Sequence, residues 1–401
     1  MSRWTQLSAN ERSVLEGVFW AHGPSREALS ARLAFSKTRA NALVAGLIEQ
    51  GWLDEVGLRA SSGGRRAETL QLHRGLGVLL CADLGATSVD LAVLTPDLQV
   101  LARHAEPIDV RDGPAPVLSR VRTLMRELLA RSGLKPKQVI AIGVGVPGPV
   151  DFASGQLVEP PLMPRWDSFS IRDDLRADYD APVWVDNDVN LMALGELWRL
   201  KRTLMNFLVI KVGTGIGCGV VCHGEVYRGA NGSAGDVGHI CVDPDGPRCH
   251  CGNLGCVETM AAGPAIARAA AEAAHTGRSA LLAERLQQQG ELTPEDVGHA
   301  SRAGDAAANG IVQSAGALIG QMLASVVNFF NPSHVFVGGG VTRIGPLFLA
   351  SLRQSVYQRS LALSTRHLEI TVSPLGDQSG LIGAGVLAMQ ELLRGRERVA
   401  A

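Results

Sequence analysis

The densest chemistry in this 401-residue sequence lies between Asp236 and Glu258. His239, Cys249, Cys251 and Cys256 supply one imidazole and three thiols. That donor set closes a tetrahedron around Zn²⁺ and leaves no position for water. Cys249 and Cys251 are too close for an easy disulfide, and Gly252 and Gly255 let the chain turn tightly around an ion. His250 is a competing imidazole, expected to point away because it stands between two ligands. A cluster of reactive thiols is the alternative reading. Cys81, Cys218, Cys222 and Cys241 read as buried or incidental thiols. Asp236 and Glu258 bracket the loop, where carboxylates can accept hydrogen bonds from sugar hydroxyls; two solvated acids are the plainer alternative.

Two further segments carry residues suited to phosphate and proton chemistry. An apolar strand, Leu76 to Ala82, runs into Asp83-Leu84-Gly85-Ala86-Thr87-Ser88, and a second strand, Val89 to Leu94, follows. Backbone N–H groups and a hydroxyl in such a hairpin can cradle phosphate oxygens, and Asp83 can hold a hydrated Mg²⁺. A similar hairpin recurs at Gly213-Thr214-Gly215-Ile216-Gly217 after the strand Phe207 to Val212, and Gly338-Gly339-Gly340 follows the strand His334 to Val337. Paired hairpins imply two related lobes with a nucleotide between them. Between them lies Val183-Trp184-Val185-Asp186-Asn187-Asp188-Val189-Asn190, a strand that opens into a helix. An Asp there can take a proton from an attacking hydroxyl while Asn187 orients the substrate. The competing reading is that Asp and Asn simply cap the helix.

Ahead of these elements, residues 1–75 read as a winged helix-turn-helix. Ser8 and Glu11 form a capping box, with Val14, Leu15, Val18 and Phe19 at helical spacing behind it and His22-Gly23-Pro24 as the stop. Ser25 caps a second helix carrying Ala28, Leu29 and Leu33. Ser36 caps a third, with Ala40, Leu43, Val44, Leu47 and Ile48 inward. The short turn between the second and third helices matches the DNA-binding motif. Ser36, Lys37, Thr38, Arg39 and Asn41 then face phosphates or base edges. A hairpin, Trp52 to Val56 and Ala67 to Leu72, follows, and its tip carries Arg65 and Arg66, suited to the minor groove. A helical protein-interaction module is the alternative.

Composition agrees with this division. The net charge of −1 hides ten basic against seven acidic residues over 1–75, a local balance of +3. Hydrophobic residues make up 46% but aromatic ones only 4%, so Ala, Val and Leu must fill the cores. No apolar run of the roughly 18 residues needed for a membrane span stands out, no signal-peptide pattern opens the chain, and unpaired cysteines suit the cytoplasm. Neither membrane nor secreted function is expected.

Taken together, the motifs Asp83-x-Gly-x-Thr87, Asp186-Asn187-Asp188-x-x-Asn190, Gly213-Thr214-Gly215-x-Gly217, Gly235-Asp236-x-Gly238-His239 and Cys249-x-Cys251-Gly252-x-x-Gly255-Cys256-x-Glu258 resemble those of the ROK family of repressors and sugar kinases. The resemblance spans essentially the whole chain. It implies an α/β, two-lobed, actin-like ATPase (sugar-kinase) fold behind the winged helix, usually in a homodimer or homotetramer. The expected domains are 1–75, a small lobe 76–186 with 376–401 packing back on it, and a large lobe 187–375. The resemblance makes Asp188 the catalytic base and puts Asn187, Asp188, His239 and Glu258 on the sugar, His239 while also ligating structural zinc. It puts Asp83, Gly85, Thr87, Gly213, Thr214, Gly215 and Gly339 around ATP. Two departures from the family's kinases stand out. Ala86 replaces a glycine, where a methyl would crowd a phosphate or strain a left-handed backbone. Asp236 replaces a glutamate and withdraws its carboxylate by about 1.5 Å.

Since family members with an N-terminal winged helix are generally regulators, the expected function is a sugar-responsive repressor. In that scheme operator DNA is the partner, and sugar between the lobes alters the spacing of two winged helices in a dimer. An ATP-dependent hexose or N-acetylhexosamine kinase is the alternative, and a nucleotide-binding scaffold for a protein partner is a third reading.

Overall fold

The computed structural model describes residues 3–58 and 68–396. Three helices open the chain: α1 (Ala9–Ala21), α2 (Arg26–Leu33) and α3 (Lys37–Glu49). Each begins where a serine can satisfy an orphan backbone N–H, the Ser8, Ser25 and Ser36 hydroxyls accepting from Glu11, Ala28 and Arg39. Glu11 answers by accepting from the Ser8 N–H at 2.8 Å, which completes the capping box. Val14, Leu15, Leu29, Val44 and Leu47 are fully buried, whereas Ala28 is exposed and lies outside the core. An antiparallel hairpin, β1 (Leu53–Leu58) and β2 (Glu68–Leu72), completes the module. Its first strand runs two residues past the expected end because the register shifts between Val56 and Leu58. The expected wing-tip residues Arg65 and Arg66 lie outside the described residues.

The first large sheet starts with a meander of β3 (Val78–Leu84), β4 (Ser88–Leu94) and β5 (Val100–Pro107). After α4 (Pro114–Arg131), β6 (Val139–Val146) joins parallel to β3. A small hairpin, β7 (Val150–Asp151) and β8 (Gln156–Leu157), and α5 (Ile171–Arg176) lead to β9 (Val183–Asn187), parallel to β6. The strand order is β5-β4-β3-β6-β9, and α6 (Asp188–Arg199) follows at once. Leu76 sits in a short helical turn rather than in β3, and Asp83 lies inside the strand rather than after it.

The second sheet repeats this connectivity. β10 (Phe207–Val212), β11 (Ile216–Cys222) and β12 (Glu225–Val226) form the meander. Five helices follow: α7 (Val257–Ala261), α8 (Gly263–His275), α9 (Ala280–Gln289), α10 (Pro294–Arg302) and α11 (Ala306–Phe330). β13 (His334–Gly338) pairs parallel with β10; α12 (Pro346–Arg359) and α13 (Ala362–Thr365) lead to β14 (Glu369–Val372), parallel to β13. The order is β12-β11-β10-β13-β14. Helix α14 (Ser379–Leu393) closes the described chain. One helix among the described residues, α11, is long and apolar enough to cross a membrane, a feature the sequence reading did not single out. Asn309, Gln313, Gln321 and Asn328 interrupt its apolar run, and Val312, Ile319, Leu323 and Val327 bury one face in the core with α12 residues such as Phe348 and Leu352.

Compact units divide after Thr203 and after Ser379, so α6 and α14 belong with the winged helix and the first sheet. Within that unit, α14 approaches its neighbours backbone to backbone. A Cβ on Gly383 would meet the Leu191 carbonyl of α6 at 1.8 Å, and one on Gly143 would meet the Ala384 carbonyl at 2.1 Å. The expected boundary after residue 186 would separate β9 from the helix it feeds.

The winged helix packs on this unit through α1. Trp198 at the end of α6 stacks on His22, ring centroids 3.9 Å apart, and His22 takes a left-handed conformation as the C-cap of α1. Burial and the Lys201 cation hold the His22 imidazole down at about 4, against a hydrogen bond with the Trp198 backbone that favours the charged form. Between that value and the ordinary 6.5, the unfolded chain binds the extra proton and the folded one does not. Stability therefore falls as pH drops through this window. Denaturant titrations from pH 7.5 to 4 should show the loss, and His22→Asn, which tolerates the left-handed backbone, should flatten it; an unchanged slope in the variant would contradict the assignment.

Candidate functional site

In the first unit the chemistry gathers at the C-terminal ends of β3, β6 and β9. Asp83 nears the end of β3, and Asp188, 7% exposed, opens α6 where β9 stops. A Cβ on Gly145 would sit 3.0 Å from Asp83 Oδ1 and 3.6 Å from Asp188 Cα, so the two acids share one end of the sheet. The Asn187 side chain accepts from the Val189 N–H at 3.0 Å and donates through Nδ2 to the Gly148 carbonyl at 3.0 Å. It is thus the cap the plainer reading expected, and it also ties α6 to the β6–β7 connection. Asp186 Oδ1 accepts from Asn187 N at 2.8 Å and from Asn190 Nδ2 at 3.0 Å, locking the turn that presents Asp188. Asn190 Oδ1 is buried and has no protein partner.

The first hairpin is tight. Gly85 N donates to Ser88 O at 2.8 Å, and the Ala86 and Thr87 carbonyls accept from Val110 and Ile108. Ala86 is not among the non-glycine residues with left-handed backbone, so the expected left-handed strain is absent there. Thr87 is exposed.

In the second unit, Gly213 N donates to Gly215 O at 2.9 Å, and the Gly213 carbonyl accepts from Gly263 N at the start of α8. Thr214 is exposed. Gly339 lies against this hairpin: its φ is 89°, and a Cβ there would meet the Val212 carbonyl at 2.3 Å.

The same unit holds the thiol cluster. Ligand atoms of His239, Cys249, Cys251 and Cys256 all lie within 4.8 Å of one another. His239 Nδ1 is 3.5 Å from Cys249 Sγ, and Cys251 Sγ is 3.7 Å from Cys256 Sγ. Bond lengths of about 2.3 Å to sulfur and about 2.05 Å to nitrogen give tetrahedral edges of about 3.8 and about 3.6 Å, so these separations fit a single ion. His250 is exposed and outside the group. Tight turns build the cage: Gly252 N donates to Cys249 O, and Gly255, at φ 61°, approaches the Asp243 carbonyl so closely that a Cβ would lie 1.5 Å from it. Burial raises the Cys249 thiol and pushes Cys256 up to about 12, while the Asn253 backbone N–H draws Cys251 down. A bound cation supplies the charge that converts such thiols to thiolates.

Glu258 stands in the first turn of α7 and accepts the Ile216 N–H at 2.9 Å, which joins the metal loop to β11. Asp236 begins the short turn carrying His239. Crowding by surrounding atoms raises its carboxyl, the nearby Glu258 raises it further, and His239 opposes them.

On the winged helix, Ser36, Lys37, Thr38, Arg39 and Asn41 are all exposed on the first turn of α3. Lys37 pairs with Glu27 at 2.9 Å; Arg39 donates to Asn10 and lies over the Phe35 ring. Sequence reasoning assigned no part to the Gly148 carbonyl, the Asp186–Asn190 tie or Gly380. A Cβ on Gly380 would fall 1.9 Å from Asp83 Oδ2, which puts the start of α14 against that carboxylate. The polar spacing Asp186-x-x-x-Asn190 signals the tie; nothing local signals Gly380.

The family model described as ROK matches residues 79–391. A glucokinase from Halalkalibacterium halodurans is 33% identical over 77% of this chain and 94% of its own length. The xylose repressor of Caldicellulosiruptor bescii is 28% identical over 96% of both chains. Among solved structures, a ROK family transcriptional regulator described as a homologue of the Escherichia coli MLC protein matches with a TM-score of 0.80 and 27% identity over 97% of both chains. With a family match over most of its length, and motifs held in the geometry just described, the chain belongs to the ROK family.

Proposed function

We propose that this protein is a sugar-responsive transcriptional regulator, a repressor of carbohydrate genes, acting in the cytoplasm as a homodimer or homotetramer. One observation carries the reading. Similarity to the glucokinase stops at 77% of the chain, whereas the xylose repressor and the regulator structure match over 96–97%, a span that takes in the three-helix module and its hairpin. The exposed turn of α3 supports the DNA role. Its residues are held by surface pairs, which contribute little in water and can be exchanged for phosphate contacts.

In this reading Asn187, Asp188, Asp236, His239 and Glu258 bind the sugar. Zn²⁺ held by His239, Cys249, Cys251 and Cys256 is structural, fixing the segment from Asp236 to Glu258; the tetrahedral spacings support it. Duplexes selected by the protein from a randomised library should bind with steep salt dependence, and Lys37→Ala or Arg39→Ala should each lower the slope by roughly 1. Saturating D-glucose, D-xylose or N-acetyl-D-glucosamine should change that affinity for at least one sugar. Indifference to every sugar tested would overturn the reading. Cys251→Ser should lose most of the zinc measured by atomic emission and weaken sugar-dependent thermal stabilisation; full zinc content would overturn the ligand set.

A second reading, an ATP-dependent hexose kinase, rests on Asp188 buried beside Asp83. There Asp188 would take the hydroxyl proton, with Asp83, Gly85, Thr87, Gly213, Thr214, Gly215 and Gly339 around ATP and Mg²⁺. Sugar-dependent ADP release that disappears in Asp188→Asn would establish it. No turnover, with thermal stabilisation by sugar retained, would leave a sensor.

A further inference from the structure

Helix α6 begins at Asn187 and Asp188 and ends at Trp198 against the winged helix. Its 12 residues make a rod of about 18 Å. Helix α14 has the same disposition. Its first turn, at Gly380, abuts Asp83, and its last carbonyls, Leu392 and Leu393, accept from Arg12 Nη1 of α1 at 3.4 and 3.0 Å. Midway the rods lock together at Gly383 and Leu191, backbone against backbone. At the far end of α6, Trp198 stacks on His22 and lies 6.2 Å from the Phe19 ring, while Arg202 lies over Trp20 at 3.9 Å and pairs with Glu16 at 3.7 Å. Every one of these contacts falls on α1 or its cap. Beside them, a cleft of about 170 Å³ lined by Phe19, His22, Leu70, Asp97, Gln99 and Trp198 runs between β2 and the β4–β5 turn.

We propose that α6 and α14 act as one lever, carrying a change at Asp83, Asn187 and Asp188 to α1, with Trp198, Arg202 and Arg12 as the coupling contacts. This deepens the sugar-sensor reading and rests on it. Packed interiors transmit displacement because they are dense and incompressible. A tilt of about 5° at the Asn187 end moves the Trp198 end by roughly 1.6 Å, the scale of helix shifts in switching proteins. The cleft leaves room on the β2 side for α1 to follow, so the winged helix pivots on the helix ends instead of being wedged against the sheet. Trp198, Arg202 and Arg12 are positioning residues; they touch neither sugar nor DNA.

Hydrogen exchange on the full-length zinc-loaded protein tests this, with D-glucose, D-xylose, N-acetyl-D-glucosamine, N-acetyl-D-mannosamine and cellobiose as probes. A sugar that alters exchange in peptides covering 183–199 should also alter it in 9–21, and should shift affinity for library-selected DNA by about 5–150-fold, the usual range of coupling between sites. In a Trp198→Leu, Arg202→Gln double variant, and separately in Arg12→Gln, the 183–199 response and sugar-free DNA binding should persist while the sugar effect on DNA falls below about twofold, against that same coupling range. Trp198→Phe should restore most of it. A merely structural role would lower melting temperature and leave the ratio intact. Response at 183–199 without response at 9–21 in the native protein overturns the lever alone, as does undiminished coupling in folded variants. No response at 183–199 to any probe, with DNA affinity indifferent, overturns the sugar-sensor reading and the lever with it. The native exchange data decide the matter even if a variant fails to fold.

Discussion

Helix α14 meets its neighbours at backbone distance, and the first unit is organised around that closeness. Gly383 leaves room for the Leu191 carbonyl, Gly143 for the Ala384 carbonyl, and Gly380 for the Asp83 carboxylate. A side chain at Gly383 or Gly143 would force the helix away from α6 or β6, and one at Gly380 would displace the Asp83 carboxylate. Glycine inside a helix costs about 1 kcal/mol relative to alanine, so this cost is carried at two helical positions, Gly380 and Gly383. What it secures is a fixed relation among Asp83, Asp188 and the helices that begin beside them. Ser379 and Gly380 also mark where the chain returns from the second unit to the first.

The metal loop applies the same economy to a smaller object. Its turns are too tight for a side chain at Gly255, and Cys249 and Cys256 are buried. Its four donor atoms lie within 4.8 Å of one another, a spacing at which one ion can cross-link them. The cage fixes His239 and the start of α7, and Glu258 then reaches back to the Ile216 N–H.

The winged helix is bound to the rest of its unit by rings and two guanidinium groups: His22 on Trp198, Arg202 over Trp20, Arg12 on the carbonyl end of α14. Such contacts are directional and cover little area. They hold orientation more firmly than they add stability. The start of α3 stays exposed, and its Ser36 cap keeps the helix start ordered without using Lys37 or Arg39.

Features that depend on neighbours in sequence were legible there. Ser8, Ser25 and Ser36 cap residues three positions ahead, β6 is an apolar run and β10 is interrupted only by Lys211, and cysteines that share one ion must be close together. His239 was preferred over His250 because His250 stands between two of the thiols, and the structure leaves His250 exposed outside the group. Features that depend on distant partners were not legible. Nothing near Gly380 announces Asp83, nothing near Trp198 announces His22, and the chain gives no local reason for α6 to group with the winged helix. Ala86 looked strained until the backbone was seen to avoid left-handed space. The sequence by itself determined the helix starts, most of the strand runs, the cluster of one imidazole and three thiols, and the family. Tertiary structure decided which acids share an end of the sheet and which helices lock together, because steric exclusion between backbones acts only where packing has already brought them close.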